Sequence, residues 1–124
     1  MSVTTKEFQK LDIRMGTIKK AEVPQWSHWV MKLTVDLGSE IGERTIFAGI
    51  MHYFKPEELE GKQCQFIANL EPKKIGPEND FSEGMMLMAE DKLEKPILVE
   101  GEEVWEKPVL ITPAKKVPNG IKVL

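Results

Sequence analysis

Histidine and cysteine, the side chains most often used in catalytic triads and zinc sites, are scarce in this chain. The sequence holds two histidines, His28 and His52, and a single cysteine, Cys64. A catalytic triad or a zinc site needs three or four such side chains, and these three residues lack the spacing of metal ligands. No glycine-rich phosphate loop of the Walker type is present. The sequence therefore predicts a binding protein, not an enzyme, with no metal and no cofactor.

The single cysteine also indicates the cellular compartment. One cysteine cannot form an internal disulfide, as is typical of proteins from a reducing compartment. Because Cys64 alternates with Phe66 and Ala68, we interpret it as a buried small hydrophobic residue and not as a reactive thiol. No apolar segment approaches the roughly 20 residues that cross a bilayer, and residues 1–10 are polar, unlike a secretory signal. We expect a cytoplasmic protein with no membrane contact.

The negative charge of the chain is concentrated in one segment. The net charge is −3, which counts against nucleic-acid binding when taken alone. Seven acidic and three basic side chains fall between Glu90 and Lys107, which leaves 14 bases and 13 acids in the rest of the chain. The remaining sequence is therefore slightly positive, and a basic binding surface is compatible with the composition.

Alternation of apolar and polar residues predicts the strands that must position any site. The pattern is clearest from Trp29 to Leu37, where every odd position is apolar and three of the four even positions are polar. It recurs from Cys64 to Leu70. A longer segment, Leu11–Val23, slips out of phase, and Gly16 lies at the slip. A glycine at such a break predicts a bulge or bend at that residue.

Two apolar segments and one helix complete the predicted barrel. Thr45–Ile50 and Met85–Ala89 are apolar on both faces, which is typical of buried strands or of strands at a subunit contact. Lys55–Gly61 predicts a short helix, because Pro56 suits its first turn and Gly61 its end. Three strands, a short helix and two strands are the order of an all-β, five-stranded Greek-key OB-fold barrel with its helix between strands 3 and 4.

The pattern weakens after Asp91. Short apolar pieces such as Ile97–Val99 and Val109–Ile111 are interrupted by prolines. We interpret residues 92–124 as an acidic C-terminal extension that adds edge strands and a tail packed on the barrel. The whole chain, residues 1–124, is then a single domain with its barrel core at about residues 8–91.

The loop between the first two predicted strands contains Trp26, Ser27 and His28. OB-folds use this loop to bind ligands, and an aromatic ring there can stack on an unpaired base. In the alternative interpretation Trp26 covers the end of the barrel and His28 is an ordinary surface residue. The residues leave both interpretations open.

Several motifs resemble one known family. Seven residues match the opening motif F-x-x-(L/V)-D-(I/L)-R-x-G-x-I of the tRNA-binding OB domain: Phe8, Leu11, Asp12, Ile13, Arg14, Gly16 and Ile18. Further matches follow in order: VDLG at 35–38, PEELEGK at 56–62, ANLEPKK at 68–74, SEGMMLMAED at 82–91 and VPNG at 117–120. The domain occurs at the C-terminal end of methionyl-tRNA synthetases and as small free-standing dimers, and the tail is also similar to CsaA-type proteins.

This resemblance implies a non-catalytic homodimer that binds tRNA by its structure. The RNA contacts that it implies lie around the loop between strands 4 and 5: Asn69, Lys73, Lys74, Ser82, Glu83, Gly84 and Met85. Lysines neutralise phosphates, Asn69 and Ser82 can bond phosphate, sugar or base edges, and Gly84 permits close backbone approach. Together with Trp26 and His28 these residues form the predicted RNA-binding set. In the alternative, Ser82 and Glu83 pin the loop and Met85 belongs to the core.

Further expectations concern an ion pair, differences from the family motif, an alternative function and a partner. Asp12 and Arg14 are interpreted as a structural ion pair. Glu78 and Asp80 stand where the family has basic residues, which predicts weakened tRNA binding. A CsaA-type secretion chaperone is the alternative function, and it would bind proteins through exposed apolar surface. The chain can also be expected to dock on a separate methionyl-tRNA synthetase catalytic subunit.

Overall fold

A five-stranded antiparallel sheet forms the barrel. The computed structural model describes residues 1–124. Its strands are β1 (Ile13–Glu22), β2 (Met31–Asp36), β3 (Glu43–Ala48), β4 (Gln63–Ile67), β5 (Lys73–Lys74), β6 (Phe81–Ser82), β7 (Met85–Met86), β8 (Met88–Val99) and β9 (Glu102–Leu110). The barrel sheet has the order β3–β2–β1–β4–β7, with every neighbouring pair antiparallel. The predicted all-β OB-fold is confirmed.

The core follows the predicted alternation. In β2 the side chains of Met31, Leu33 and Val35 are buried, and the residues between them are only partly so. Cys64 and Phe66 of β4 are also fully buried, which confirms the interpretation of Cys64. The strand begins two residues later than predicted, because Trp29 lies in the preceding loop with 55% of its surface exposed.

Gly16 permits close packing of strands and does not form the predicted bulge. The pairing of β1 with β4 runs through Gly16 without interruption, and the shift in register against β2 falls between Ile18 and Lys20. The predicted bulge at Gly16 is therefore wrong by about three residues. A Cβ atom at position 16 would lie 2.7 Å from Leu37 Cδ2 and 2.8 Å from Val35 Cγ1. The glycine lets β2 and the residue after it pack closely on β1.

Three helices of four residues each accompany the strands, one before β1 and two between later strands. The predicted helix is present as α3 (Pro56–Leu59), with Gly61 beyond its end at a φ of +86°. The sequence did not predict α1 (Thr5–Phe8) or α2 (Gly38–Ile41). Reciprocal hydrogen bonds between Thr4 and Glu7 cap the first of these. Every helix in the structure is too short and too polar to pass through a bilayer.

The acidic segment folds as a hairpin. Strands β8 and β9 pair only with each other, and Glu100 and Gly101 turn the chain with positive φ angles of 51° and 82°. The predicted edge strands are therefore wrong in their partner, since they form a sheet of their own. Prolines are tolerated because each strand of a two-stranded sheet has an unpaired edge, and Pro96 lies where the register shifts between Lys92 and Ile97.

The tail packs on β1, as predicted. The backbone N–H of Gly120 donates to the Met15 carbonyl at 2.7 Å, and the N–H of Met15 donates to the Ile121 carbonyl at 2.9 Å. The N–H of Val123 donates to the carbonyl of Ile13 at 2.9 Å. The tail thereby covers the edge of β1 that β2 leaves unpaired.

Candidate nucleic-acid interface

A cleft of about 390 Å³ lies on β2 and β3 beneath the loop that joins β5 to β6. Lys32, Thr45 and Phe47 form its floor, and Pro72, Asn79, Asp80, Phe81 and Glu83 complete its walls. Phe47 points away from the core, because its neighbours Ile46 and Ala48 belong to the core cluster and successive strand residues face opposite sides. This is the face with which OB-folds bind oligonucleotides.

Sequence reasoning missed the floor of this cleft. Lys32 and Thr45 are outward-facing residues of predicted strands, which is the signal that could have identified them. Phe47 gave a weaker signal, because it sits in a segment that is apolar on both faces. Its position on the binding face becomes evident only when the loop of residues 75–80 is placed above it.

Trp26 lies beside this cleft. Its ring centroid is 6.0 Å from that of Phe47, at an interplanar angle of 43°. Its outer edge contacts Gly76, where a side chain would collide with the indole. The buried Ser27 hydroxyl fixes the loop, donating to the Val30 carbonyl at 2.7 Å. Trp26 thus covers Phe47 while part of its ring stays exposed, a position that suits both interpretations.

His28 lies apart from the cleft. Its side chain is exposed, and its carbonyl is 2.6 Å from Nε2 of His52. The same Nε2 atom is 3.5 Å from the Glu100 carboxylate at the hairpin turn. The His28 carbonyl therefore contacts the histidine that reaches the hairpin, and the RNA-binding role of the exposed His28 side chain stays a prediction.

Lys73 and Lys74 flank the cleft without lining it, since they follow Pro72 in the chain and pair with the segment that contains Phe81. They form β5 and pair with Ser82 and Phe81 of β6. Both are exposed, and neither belongs to any ion pair in the structure. Because they are consecutive strand residues, their side chains leave opposite faces of the ribbon. Their ammonium groups can therefore contact phosphates on either face of the ribbon.

Ser82 and Glu83 close the barrel. Ser82 Oγ accepts a hydrogen bond from the N–H of Phe47 at 3.0 Å and donates to the Gly84 carbonyl at 3.0 Å. The Glu83 carboxylate accepts from the N–H of Thr45 at 3.0 Å. These bonds join the segment before β7 to β3, at the opposite end of the sheet order. The geometry favours the interpretation that both residues pin the loop.

The other predicted contacts have mixed surroundings. Asn69 is exposed, but its Oδ1 accepts from the N–H of Asp12 at 2.9 Å and its Nδ2 donates to the Lys10 carbonyl at 2.7 Å. A Cβ atom at Gly84 would lie 2.7 Å from the carbonyl oxygen of Ile67, so the residue must be small. Met85 is 51% exposed, and its assignment to the core is wrong. Met85 therefore presents an exposed side chain to a ligand, whereas the exposed Asn69 amide is engaged with the backbone.

Asp80 shapes the loop above the cleft. Its carbonyl accepts from the N–H groups of Ile75 and Gly76 at 2.7 and 3.2 Å, and its carboxylate accepts from the N–H of Glu78 at 3.2 Å. The acidic residue that the sequence presented only as an unfavourable charge therefore also holds the turn together. Its negative charge still lies in the wall of the cleft.

Two ionisable groups outside the cleft have structural roles. Arg14 Nε lies 2.6 Å from the Asp12 carboxylate, and its Nη1 donates to the Gly120 carbonyl at 3.0 Å, which confirms the structural pair. The hydrogen bond with Asp12 raises the pKa of Arg14 above its ordinary value. Burial raises the pKa of the Cys64 thiol to about 11. No group of three His, Cys, Asp or Glu side chains is arranged to hold a metal ion.

Comparison with known proteins agrees with this architecture. Residues 13–122 match the family model described as "Putative tRNA binding domain". The chain is 42% identical over 122 residues to the methionine–tRNA ligase of Archaeoglobus fulgidus, covering 98% of this chain and 16% of the ligase. It is 39% identical to the Pyrococcus furiosus ligase, in a match that covers 98% of this chain and 14% of that ligase. The chain thus spans about one seventh of the length of these relatives.

Two solved structures resemble the entire chain. The MetRS-related protein from Pyrococcus horikoshii superposes with a TM-score of 0.80 at 36% identity, covering 100% of this chain and 99% of that one. The chaperone CsaA from Bacillus anthracis superposes with a TM-score of 0.76 at 27% identity, with full coverage of both chains. Since the family model spans nearly the whole barrel and the tail, this chain belongs to the tRNA-binding domain family.

Proposed function

We propose that this chain is a non-catalytic module that binds folded tRNA across the cleft on β2 and β3. The observation that carries the proposal is the position of Lys73 and Lys74, two exposed cations outside any ion pair, on a strand that pairs with Phe81 of the cleft wall. Exposed aromatic surface at Phe81 and part of Trp26 lies beside them and offers stacking partners to unpaired bases. Family membership makes tRNA the leading nucleic-acid ligand.

The charges within the cleft limit the affinity. Lys32 is the single base in its lining, and Asp80 and Glu83 are acids. The Lys32 ammonium is also 3.9 Å from the Glu22 carboxylate. Neutralisation of the RNA phosphates therefore depends on Lys73 and Lys74. We expect modest affinity that falls steeply as salt increases.

We propose a homodimer because the hairpin exposes unpaired strand edges and large apolar side chains. Two-stranded sheets are marginally stable by themselves, and both outer edges of β8 and β9 are unpaired. The hairpin also exposes large apolar side chains, among them Leu98 at 75% and Trp105 at 48%. Association of two hairpins would bury this surface and present two cleft faces to one folded tRNA.

We also propose that the protein acts in the cytoplasm.

A gel-shift titration with total tRNA tests the principal proposal. We expect a complex at low salt that weakens at moderate salt, and absence of a complex at low salt would contradict tRNA binding. Light scattering of the free protein tests the dimer separately. A mass of one chain at micromolar concentration would contradict it.

The similarity to methionine–tRNA ligases suggests a partner. In the Archaeoglobus fulgidus ligase, the matching region is one part of a much longer chain. We propose that this chain serves a methionyl-tRNA synthetase catalytic subunit in trans, as an accessory that holds the tRNA. Co-sedimentation of the two proteins, with and without tRNA, tests this association.

Protein binding is the second candidate function. Its support is the similarity to the chaperone CsaA and an apolar groove of about 330 Å³ between the barrel and β9, lined by residues that include Phe54, Val109 and Leu110. Salt distinguishes the two functions. A complex with an unfolded polypeptide that persists at high salt would favour the chaperone, whereas tRNA binding is lost under those conditions.

A further inference from the structure

A third cleft lies where the tail crosses β1 and β4. It measures about 290 Å³ and shares no residue with the cleft on β2 and β3. Its lining contains Lys62 and Lys116, the hydroxyls of Thr17 and Thr112, and no carboxylate. Although the chain has a net charge of −3, this cleft is lined by two bases and no acid. Its chemistry is suited to an anion.

One paired contact joins the two segments that carry the lysines. The side-chain amide of Gln63 donates to the Val117 carbonyl at 2.6 Å and accepts from the Val117 N–H at 3.0 Å. Lys62 and Lys116 immediately precede these two residues in the sequence. The Lys62 carbonyl is itself fixed, since it accepts from the N–H of Ile18 at 2.9 Å. The backbone positions of both lysines are therefore set by the fold.

The charges of these lysines are not neutralised within the chain. Neither forms an ion pair. Glu58 and Glu60 precede Lys62 in the sequence, but they lie outside the cleft lining and accept hydrogen bonds from the N–H groups of Lys55 and Ala21. Lys62 also lines the adjoining groove with Lys107. Neighbouring like charges without counterions repel each other, and an anion between them relieves this repulsion.

We propose that this cleft binds a phosphate group. The ammonium groups of Lys62 and Lys116 contact its oxygens, and the Thr112 hydroxyl donates a further hydrogen bond. Thr17 has a different role, because its hydroxyl already donates to Asn119 Oδ1 at 2.7 Å and so helps to hold the tail. The phosphate is either a backbone phosphodiester of RNA or a free phosphate compound. The first source rests on the proposed tRNA binding, and the second does not.

Inorganic phosphate is the direct probe. Amide chemical shifts of the full chain are followed while phosphate replaces chloride at constant ionic strength. We expect saturable shifts at Gly61, Thr112 and Lys116. The double substitution Lys62→Ala with Lys116→Ala removes charge-assisted hydrogen bonds and should weaken phosphate binding about tenfold or more. Lys6→Ala with Lys55→Ala removes the same charge from exposed positions outside the cleft and should leave the shifts unchanged.

The outcome distinguishes the two sources. If the phosphate belongs to RNA, the cleft variant should reduce the salt dependence of tRNA binding by about 1 in log–log slope relative to the control. Localised phosphate shifts with an unchanged slope identify a free phosphate compound. Shifts that are absent from the cleft, or equal in both double variants, overturn the proposal. If the wild-type chain binds no tRNA, the proposed function fails while the phosphate titration remains decisive.

Discussion

Glu83 and Thr45 exchange two hydrogen bonds across the seam of the barrel. The N–H of Glu83 donates to the Thr45 carbonyl at 2.8 Å, and the N–H of Thr45 donates to the Glu83 carboxylate at 3.0 Å. The Glu83 carbonyl also accepts from the Arg44 guanidinium at 3.2 Å. A residue that family resemblance places among the RNA contacts is therefore part of the closure of the barrel.

Glu83→Ala should destabilise the fold. It leaves the N–H of Thr45 without its acceptor, which costs about 1–3 kcal/mol of unfolding free energy. Glu83→Gln keeps an acceptor oxygen at the same position and should lose much less. Chemical denaturation of the three proteins measures the difference. An alanine variant as stable as the wild type, with reduced tRNA affinity, would show that the side chain acts on RNA and not on the seam.

Lys73→Ala and Lys74→Ala should weaken tRNA binding without changing stability. Each lost phosphate contact should lower the slope of log affinity against log salt by about 1. Because the two side chains leave opposite faces of β5, we expect one single variant to account for most of the effect of the double variant. Lys6→Ala, at an exposed position outside the cleft, is the matched control for loss of charge. Equal affinity in the wild type, both single variants and the double variant would place the RNA contacts elsewhere.

Gly84→Ala should be costly and Gly49→Ala cheap. At position 84 the new methyl group meets the Ile67 carbonyl oxygen at 2.7 Å, whereas at position 49 the nearest atom is Trp29 Cδ1 at 3.4 Å. Overpacking of the first kind typically costs about 1–3 kcal/mol. Thermal unfolding of both variants provides the comparison. Similar melting temperatures would mean that β7 can move away from β4 without loss.

The Cys64 thiol should be inert in the folded protein. Burial disfavours its charged form and raises its pKa to about 11 from an ordinary value of 9.0. Stability associated with the neutral thiol is complete below pH 9 and is lost as the pH rises towards 11. The unfolding free energy of the wild type should therefore fall more over this interval than that of Cys64→Ala. Rapid labelling of the native protein by a thiol reagent at pH 8 would contradict the burial.

The sequence was most informative where a strand has one buried face. Met31, Leu33 and Val35 repeat every second residue, so their strand and the direction of its side chains could be predicted. Pro96 and Pro108 interrupted the apolar pattern, so the sequence predicted short edge strands and not the long hairpin strands that run through both prolines. The partner of each hairpin strand is likewise a tertiary property.

The candidate site was less predictable than the barrel. Lys73 and Lys74 could be identified from a motif, and the structure leaves their charges unpaired. Phe47 could not, because an outward aromatic residue in a wholly apolar segment resembles a core residue. The structural role of Asp80 could not be predicted either, since its hydrogen bonds with Ile75, Gly76 and Glu78 are made only once the loop has folded.

The pairing of the tail with β1 has a consequence for folding kinetics. Ile13 and Met15 bond to residues more than 100 positions later in the chain, at Gly120, Ile121 and Val123. Contacts of such large sequence separation slow folding, because a long loop must close before they form. The first strand to be synthesised is thus among the last to be fully paired. In hydrogen exchange, the amides of Met15 and Val123 should become exposed in one cooperative opening, before those of β2.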